Sequence, residues 1–524
     1  MSENASLLVE QLWKLKRLVD RGECSDIQFV HLNNLLREPN YRADVLRRAD
    51  SSGSERVRKL VRDIREVDPG TALMATTDAY QPPHRQEATE QPRRRRHLVW
   101  AAPVVAAGAI AAVGFTALEP RTIRVSDDIT SATVWRGDKT YVLEDIVFVD
   151  NATLTIEAGA TIKGENGAAL IVTQDSQLFS RGRPDKPVVF TSARAQGERS
   201  RGDWGGVVLL GKAPVNQPSP QIEGIPAGDQ RGSFGGTDTT DSCGVMEYTR
   251  IEFAGFEVYQ NNELNGLTLG GCGSNTIVRH VQVHRALDDG IEMFGGTVDL
   301  KHILVTGAAD DSIDWDWGWR GRVQFAIIQQ HADAGDNAFE GDNNGDQHEA
   351  RPRSEPVFYN VTLAGTGHGA RSHRGMVLRE GTGGHFHNMI IDSYAIEAMD
   401  TRDEVRALVA SGSLSFSHNV IANAGSVNNA RREQAQDDDD FGFDEEAWLR
   451  AKENRNLLSL GSALHPSARN VTSPDFRPRL SLRDMPATTP PKSEFFDESA
   501  TYSGAINPRN PGSWLEGWTA YPES

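Results

Sequence analysis

A short β-type unit, written as apolar, any, polar, apolar, any, apolar, returns along this chain at steps of 20 to 30 residues and limits what it can fold into. It is present in TRIEF ending at Phe253, VRHVQV (278–283), LKHILV (300–305), VQFAII (323–328), FYNVTL (358–363) and FHNMII (386–391). From Val281 to Ile303 the step is 22 residues, and from Val361 to Met389 it is 28. A period of that length carrying one or two short strands marks a solenoid in which each repeat is one coil. One coil cannot bury its inward Val, Ile and Leu alone, so successive coils stack at the ~4.8 Å strand spacing. Earlier coils are visible in TLTIEAGATIKG from Thr153 and in ALIVTQDSQLF followed by PVVFTS. No regular series of hairpin turns accompanies them, which argues against a sandwich. The expected fold is all-β, a parallel β-helix of right-handed connection over residues 122–424. Residues 425–524 are expected to form an acidic insertion, around DDDDFGFDEEAWLRAKENRNLL, and a Pro-rich C-terminal strap or cap ending in WLEGW.

The first 121 residues have a different character. Leu7, Leu8, Leu12, Leu15 and Val19 fall on one helical stripe, and Phe29, Leu32 and Leu35 or Leu36 on a second that Pro39 stops, so residues 1–68 are expected to be a small helical module. A linker (69–96) ends in Arg93, Arg94, Arg95 and Arg96. Residues 97–118 contain LVWAAPVVAAGAIAAVGFTAL, an uncharged run long enough to span ~30 Å of hydrocarbon. The positive-inside bias puts the N-terminus in the cytoplasm and the β-helix in the periplasm, anchored by one helix in the inner membrane of a bacterium. A start at Met74 would make the same run a long-headed signal peptide. Residues 1–96 carry 18 Lys and Arg against 15 Asp and Glu, whereas the remainder carries 37 against 58. A surface that acidic excludes nucleic acid as the partner of the C-terminal part.

Two resemblances follow from longer motifs. WRGDKTYVLEDIVFVDNATLTIEAGATIKG, GDWGGVVLLGKAPVN, NELNGLTLGGCGSNT, DDGIEMFGGTVDLKH, DDSIDWDWGWRG and the closing WLEGWTAYP resemble a bacterial family of exported parallel β-helix proteins of unknown function, pectate-lyase-like in fold and often lipoproteins. The resemblance implies a fold and export, and no reaction. This chain departs from the lipoprotein versions in having an internal helix anchor. LVDRGECSDIQFVHLNNLLREP resembles the N-terminal segment of anti-sigma and FecR-type membrane regulators, which implies a cytoplasmic partner for residues 1–68.

The chemistry-bearing residues cluster in two acidic repeats. Asp288, Asp310 and Asp336 align, as do Glu292, Asp314 and Glu340, with Asp289, Asp311 and Asn337 between them. Stacked coils bring such carboxylates close together, which raises their pKa values or calls for a cation. Calcium suits an oxygen-rich site of loose geometry, with Asp288, Asp310, Asp314, Asp336 and Glu340 as the expected ligands. The same acids can instead turn coil corners, or act in catalysis. Glycoside hydrolysis needs two carboxylates, for which Asp289 and Asp311 are the candidates, and a lyase needs a basic side chain, for which Arg320 is the candidate. Trp315, Trp317 and Trp319 alternate in DWDWGWRG and are expected to share a face as a sugar-stacking platform.

Cys243 and Cys272 lie about one coil apart and are expected to form a disulfide in an oxidising compartment, leaving Cys24 a free thiol. No nucleotide or Ser/His/Asp fingerprint stands out. Three functions remain in view: a membrane-anchored envelope protein that binds a glycan or an envelope protein, a polysaccharide lyase or glycoside hydrolase, and a transmembrane regulator.

Overall fold

In the computed structural model of this protein the described residues are eight single positions before residue 36, residues 39–68, and residues 122–524 apart from 226–228, 260–261, 368–372, 425–439, 480–483 and 511–512. They divide into two compact units, within 1–115 and 116–524. The apolar run 98–118 lies outside the described residues. Among the described residues no helix is long and apolar enough to cross a membrane.

The N-terminal unit is helical. Ser54 starts the helix Glu55–Val67 by accepting the Val57 N–H, and Val57, Val61 and Ile64 recur on the face it buries. They pack with Leu12, Leu15, Val19, Leu35 and Val45 around Cys24, a buried free thiol.

The second unit is a stack of parallel coils, and the periodicity in the sequence is its pairing register. Val281 pairs with Ile303 and Thr362 with Ile390, which are the 22- and 28-residue steps. One sheet has nine parallel strands, from Ile146–Val149 at one end to Asp400–Thr401 at the other. Its inward file reads Val147, Leu170, Val207, Leu267, Ile291, Ile313, Phe339 and Met376, one residue per coil and all essentially without exposure. A second sheet of 17 strands supplies the rest of each coil. Its long strands bend at a single left-handed residue, in turn Tyr248, His280, His302, Phe325 and Asn360. The first four of these stack as rings, with centroids 4.3, 4.3 and 4.9 Å apart. Burial pushes the pKa of His280 down to about 4 and that of His302 to about 3, so this ladder is neutral at ordinary pH.

The C-terminal residues run back along the outside of the solenoid. Three side-chain amides each pair with one backbone peptide of this strap by two hydrogen bonds, donating from nitrogen and accepting on oxygen. Asn388 holds Thr488 (2.8 and 2.8 Å), Gln324 holds Asp497 (3.2 and 2.7 Å) and Gln282 holds Ala520 (2.6 and 3.0 Å). The order 388, 324, 282 shows the strap retracing the coils toward the start, where the Ser524 carbonyl accepts the Gly197 N–H at 3.1 Å. At the other end the short helix Glu445–Arg450 sets Leu449 and Trp448 over Phe416 and covers the last coil.

Cys243 and Cys272 are joined, with Cα atoms 5.7 Å apart and a sequence separation of 29. Closing a loop of that size removes unfolded-chain entropy worth about 3 to 4 kcal/mol. The paired Cys243→Ser, Cys272→Ser variant is therefore expected to unfold at lower denaturant by about that energy. Alkylation of both thiols without reductant would show the bond absent.

Candidate functional site

The outward face of the nine-stranded sheet changes character along its length. Its first strands present Phe148, Ile171 and Val208, which the loop residues Ile222, Ile225 and Phe234 cover. Where that cover ends, the outward file becomes Thr268, Glu292, Asp314 and Glu340, in register on successive coils. A cavity of about 280 Å³ opens there, lined by nine carboxylates. Asp288, Asp289 and Glu292 come from one coil, Asp310, Asp311, Asp314 and Asp316 from the next, Glu340 from a third, and Glu223 from the covering loop. Among the described residues that line it there is no lysine, arginine or histidine.

The acids divide by role. Asp289 and Asp311 are only 6% and 4% exposed, and each uses one oxygen to hold the next coil: Asp289 Oδ1 accepts the Asp311 N–H at 2.9 Å, and Asp311 Oδ1 accepts the Asn337 N–H at 2.6 Å. These two acids do turn corners. Asn265 donates to Glu292, and Asn337 donates to Glu340 at 3.3 Å. Three groups of acids bring their oxygens within 4.8 Å of one another: Asp288, Asp289 and Asp310; Asp289, Glu292 and Asp314; and Asp311, Asp314 and Glu340. Asp289 and Asp314 are each shared by two groups, so the three run on as one row. Buried oxygens without a hydrogen-bond donor occur within it, on Asp314, Asn265 and Asn337.

Crowding of this kind is electrostatically unfavourable. Burial, reinforced by neighbouring carboxylates, holds Asp289, Glu292, Asp311 and Asp314 well above the ordinary carboxylate range. Burial likewise raises Asp316 to about 8 and Glu340 to about 7. At the Glu340 edge of the cavity and farther along the same sheet the chain supplies its own cations. Arg379 binds Glu340 at 2.7 Å and Asp342 at 3.0 Å, Arg374 binds Glu397 at 2.8 Å, and Arg402 binds Asp400 at 2.8 Å. The Asp288–Asp316 segment has no such arginine in its lining.

Several sequence expectations need correction. Trp315, Trp317 and Trp319 do not form a platform. The strand Ile313–Asp316 ends before the alternation can continue, so Trp315 points into the core with no exposure, and Trp317 sits at a left-handed corner (φ 51°). Trp319 turns inward behind it, its indole N–H on the Val298 carbonyl at 3.1 Å. Only Trp317 lines the cavity, half-buried against Phe234 and Phe294. Arg320 is exposed and does not line it, because the turn after Trp319 carries it away. Asp336 keeps its place in register, its N–H on the Asp310 carbonyl, but its exposed side chain stands 3.9 Å from Arg374 and outside the cavity.

Asp316, Glu223 and Asn265 belong to the site without having been singled out. Asp316 is two residues beyond Asp314 on the same strand, a signal that was there to read. Glu223 and Asn265 come from outside the acidic repeats, and nothing in their spacing pointed to the cavity.

Stacked parallel coils with a charged cavity on one sheet define the class, a parallel β-helix protein. Residues 127–458 match the family described as pectate-lyase like beta helix domain, and the chain belongs to that family. No curated protein matches it, and no solved structure does. Membership is compatible with a polysaccharide-active enzyme and with a binding protein alike.

Proposed function

We propose that the β-helix unit binds calcium in the acidic cavity and acts as an extracytoplasmic binding protein of the cell envelope, with the loaded cavity as part of its ligand-binding face. One observation carries this reading: nine carboxylates line a single cavity with no lysine, arginine or histidine among its described lining residues, and Arg379 reaches it only at its edge, on Glu340. Calcium takes six to eight oxygens in flexible geometry, and the row of acids with its undonated oxygens suits it. Asp288, Asp310, Asp314 and Glu340 would be ligands, joined by Asp289, Glu292 and the free oxygen of Asp311. A glycan bearing carboxylates would then coordinate the ion and rest against Trp317. In this reading residues 97–118 anchor the protein in the inner membrane, and residues 1–68 form a cytoplasmic module that can meet a partner.

A second reading has its own support. Glu340 and Asp316, whose pKa values burial raises to about 7 and about 8, are carboxyl groups of the kind that serve as the acid in glycoside hydrolysis. β-Elimination is less well served, since no arginine or lysine is among the described lining residues and Arg379 at the edge is bound to Glu340 and Asp342.

Calorimetric titration of the chelator-treated full chain with calcium separates these. Calcium binding that disappears in Asp314→Asn, with no products from neutral or uronate polysaccharides, is the expected result. Reducing ends that form in the wild type and vanish in Asp316→Asn or Glu340→Gln would replace the binding protein with a hydrolase.

A further inference from the structure

A second cluster of metal-ligating side chains lies outside the acidic cavity and has a different chemistry. His348, Asp403 and Glu404 bring one ligand atom each within 4.8 Å of one another. His348 follows the strand of the nine-stranded sheet that ends at Gly341, Asp403 and Glu404 follow the one that ends at Thr401, and Glu380, after the strand between them that ends at Leu378, lies beside them. His348 Nδ1 stands 3.1 and 3.2 Å from the two Glu404 oxygens.

The cluster is held in place from behind. The His348 carbonyl accepts from Asn343 Nδ2 at 2.9 Å and from the Arg353 guanidinium at 3.1 Å, and both donors are buried. Asp403 occupies a left-handed position (φ 57°), and its Oδ2 accepts the Glu380 N–H at 2.6 Å, which leaves the other oxygen for the cluster. Glu404 begins the helix Val405–Ser411, yet its side chain makes no capping bond there and turns to His348 instead. The neighbouring arginines are committed elsewhere, Arg379 to Glu340 and Asp342, and Arg402 to Asp400. Among the described residues no lysine or arginine forms an ion pair with Asp403 or Glu404, so His348 is the one basic group against them.

We infer that His348, Asp403 and Glu404 form a site for a transition-metal ion such as zinc, distinct from the calcium cavity. An imidazole nitrogen with two carboxylates is a borderline donor set that suits zinc or cobalt, whereas calcium takes oxygen alone. The three protein ligands leave further positions on the ion for Glu380 or for water. A metal here would tie the corner after Gly341 to the one after Thr401, at the start of the helix. The inference does not depend on what the acidic cavity binds.

The test is cobalt(II) titration of the full chain after chelation, in excess calcium, followed by visible absorption. One equivalent of cobalt with visible d–d bands is expected, displaced by zinc. His348→Ala and Glu404→Gln should abolish the bands and weaken zinc binding by at least about 100-fold, by analogy with the loss that even outer partners of metal ligands cause. Asp314→Asn should leave them unchanged. His348 and Glu404 are partly exposed, so folding of the variants can be verified by circular dichroism. Absence of cobalt binding in the folded wild type, or an unchanged spectrum in His348→Ala, would reduce the cluster to a histidine–carboxylate ion pair. Loss of the bands in Asp314→Asn alone would place the metal in the acidic cavity.

Discussion

Without divalent cations, the β-helix unit is expected to lose stability as pH rises from about 6.5 to about 8, and calcium is expected to remove most of that loss. The sign follows from the cavity acids. Their folded-state pKa values lie above the unfolded ones, with Glu340 at about 7, Asp316 at about 8, and Asp289, Glu292, Asp311 and Asp314 also raised. Between the unfolded and folded values the native state holds more protons than the unfolded chain, so unfolding free energy falls with pH. The stabilising contribution is complete below the unfolded pKa and is lost as pH passes the folded one. The buried His280, His284, His302, His331 and His387, held at about 3 or 4 by burial, have the opposite sign but act only up to the ordinary histidine value, below this window, and Asp333, which the Arg201 guanidinium holds below the usual range, acts lower still. Calcium bound to the ionised acids replaces the protons, and at a concentration 100 times its Kd it stabilises by about 2.7 kcal/mol. Eight of the ten tryptophans lie beyond residue 122, so near-ultraviolet dichroism of the full chain reports mainly this unit. Melting curves that coincide with and without calcium across that range would show the cavity empty of cations and the proposed site wrong.

Trp315→Ala is expected to be the most damaging single substitution near the site, at about 3 to 5 kcal/mol. The ring has no exposure and packs against Trp319, Phe339, Phe358 and Phe386, with centroids 5.4 to 6.2 Å away. It also donates its N–H to Thr382 Oγ1 at 3.1 Å. The next coil makes room for it with glycine, since a Cβ on Gly341, its register partner, would run into the indole. No neighbour is placed to fill the hole that alanine would leave. Trp317→Ala, half-buried at the cavity mouth, should cost only about 1 to 2 kcal/mol while altering the binding face. Urea midpoints of the two variants decide the matter: equal losses would mean that Trp315 is not the core residue described.

Much of this architecture was legible because a coil repeats. The 22-residue step that aligns Val281 with Ile303 also aligns Asp288 with Asp310, so the acid row could be read from the same spacing as the core. What failed was reasoning that stopped at one strand. Alternation predicts a shared face for Trp315, Trp317 and Trp319 only while the strand lasts, and it ends at Asp316. Arg320 is near the acids in sequence, but the arginine that meets them, Arg379, comes from a coil two steps later. Gln282, Gln324 and Asn388 look like ordinary solvated residues until the strap that they hold is in view.

The strap also restricts how such a protein can evolve. Open solenoids grow and shrink by duplicating or losing whole repeats. Here an extra coil between Gln324 and Asn388 would displace one anchor by a further strand spacing, about 4.8 Å, while the strap between Thr488 and Asp497 kept its length. The strap thus acts as a ruler, and the number of coils can change only if the C-terminal segment changes with it.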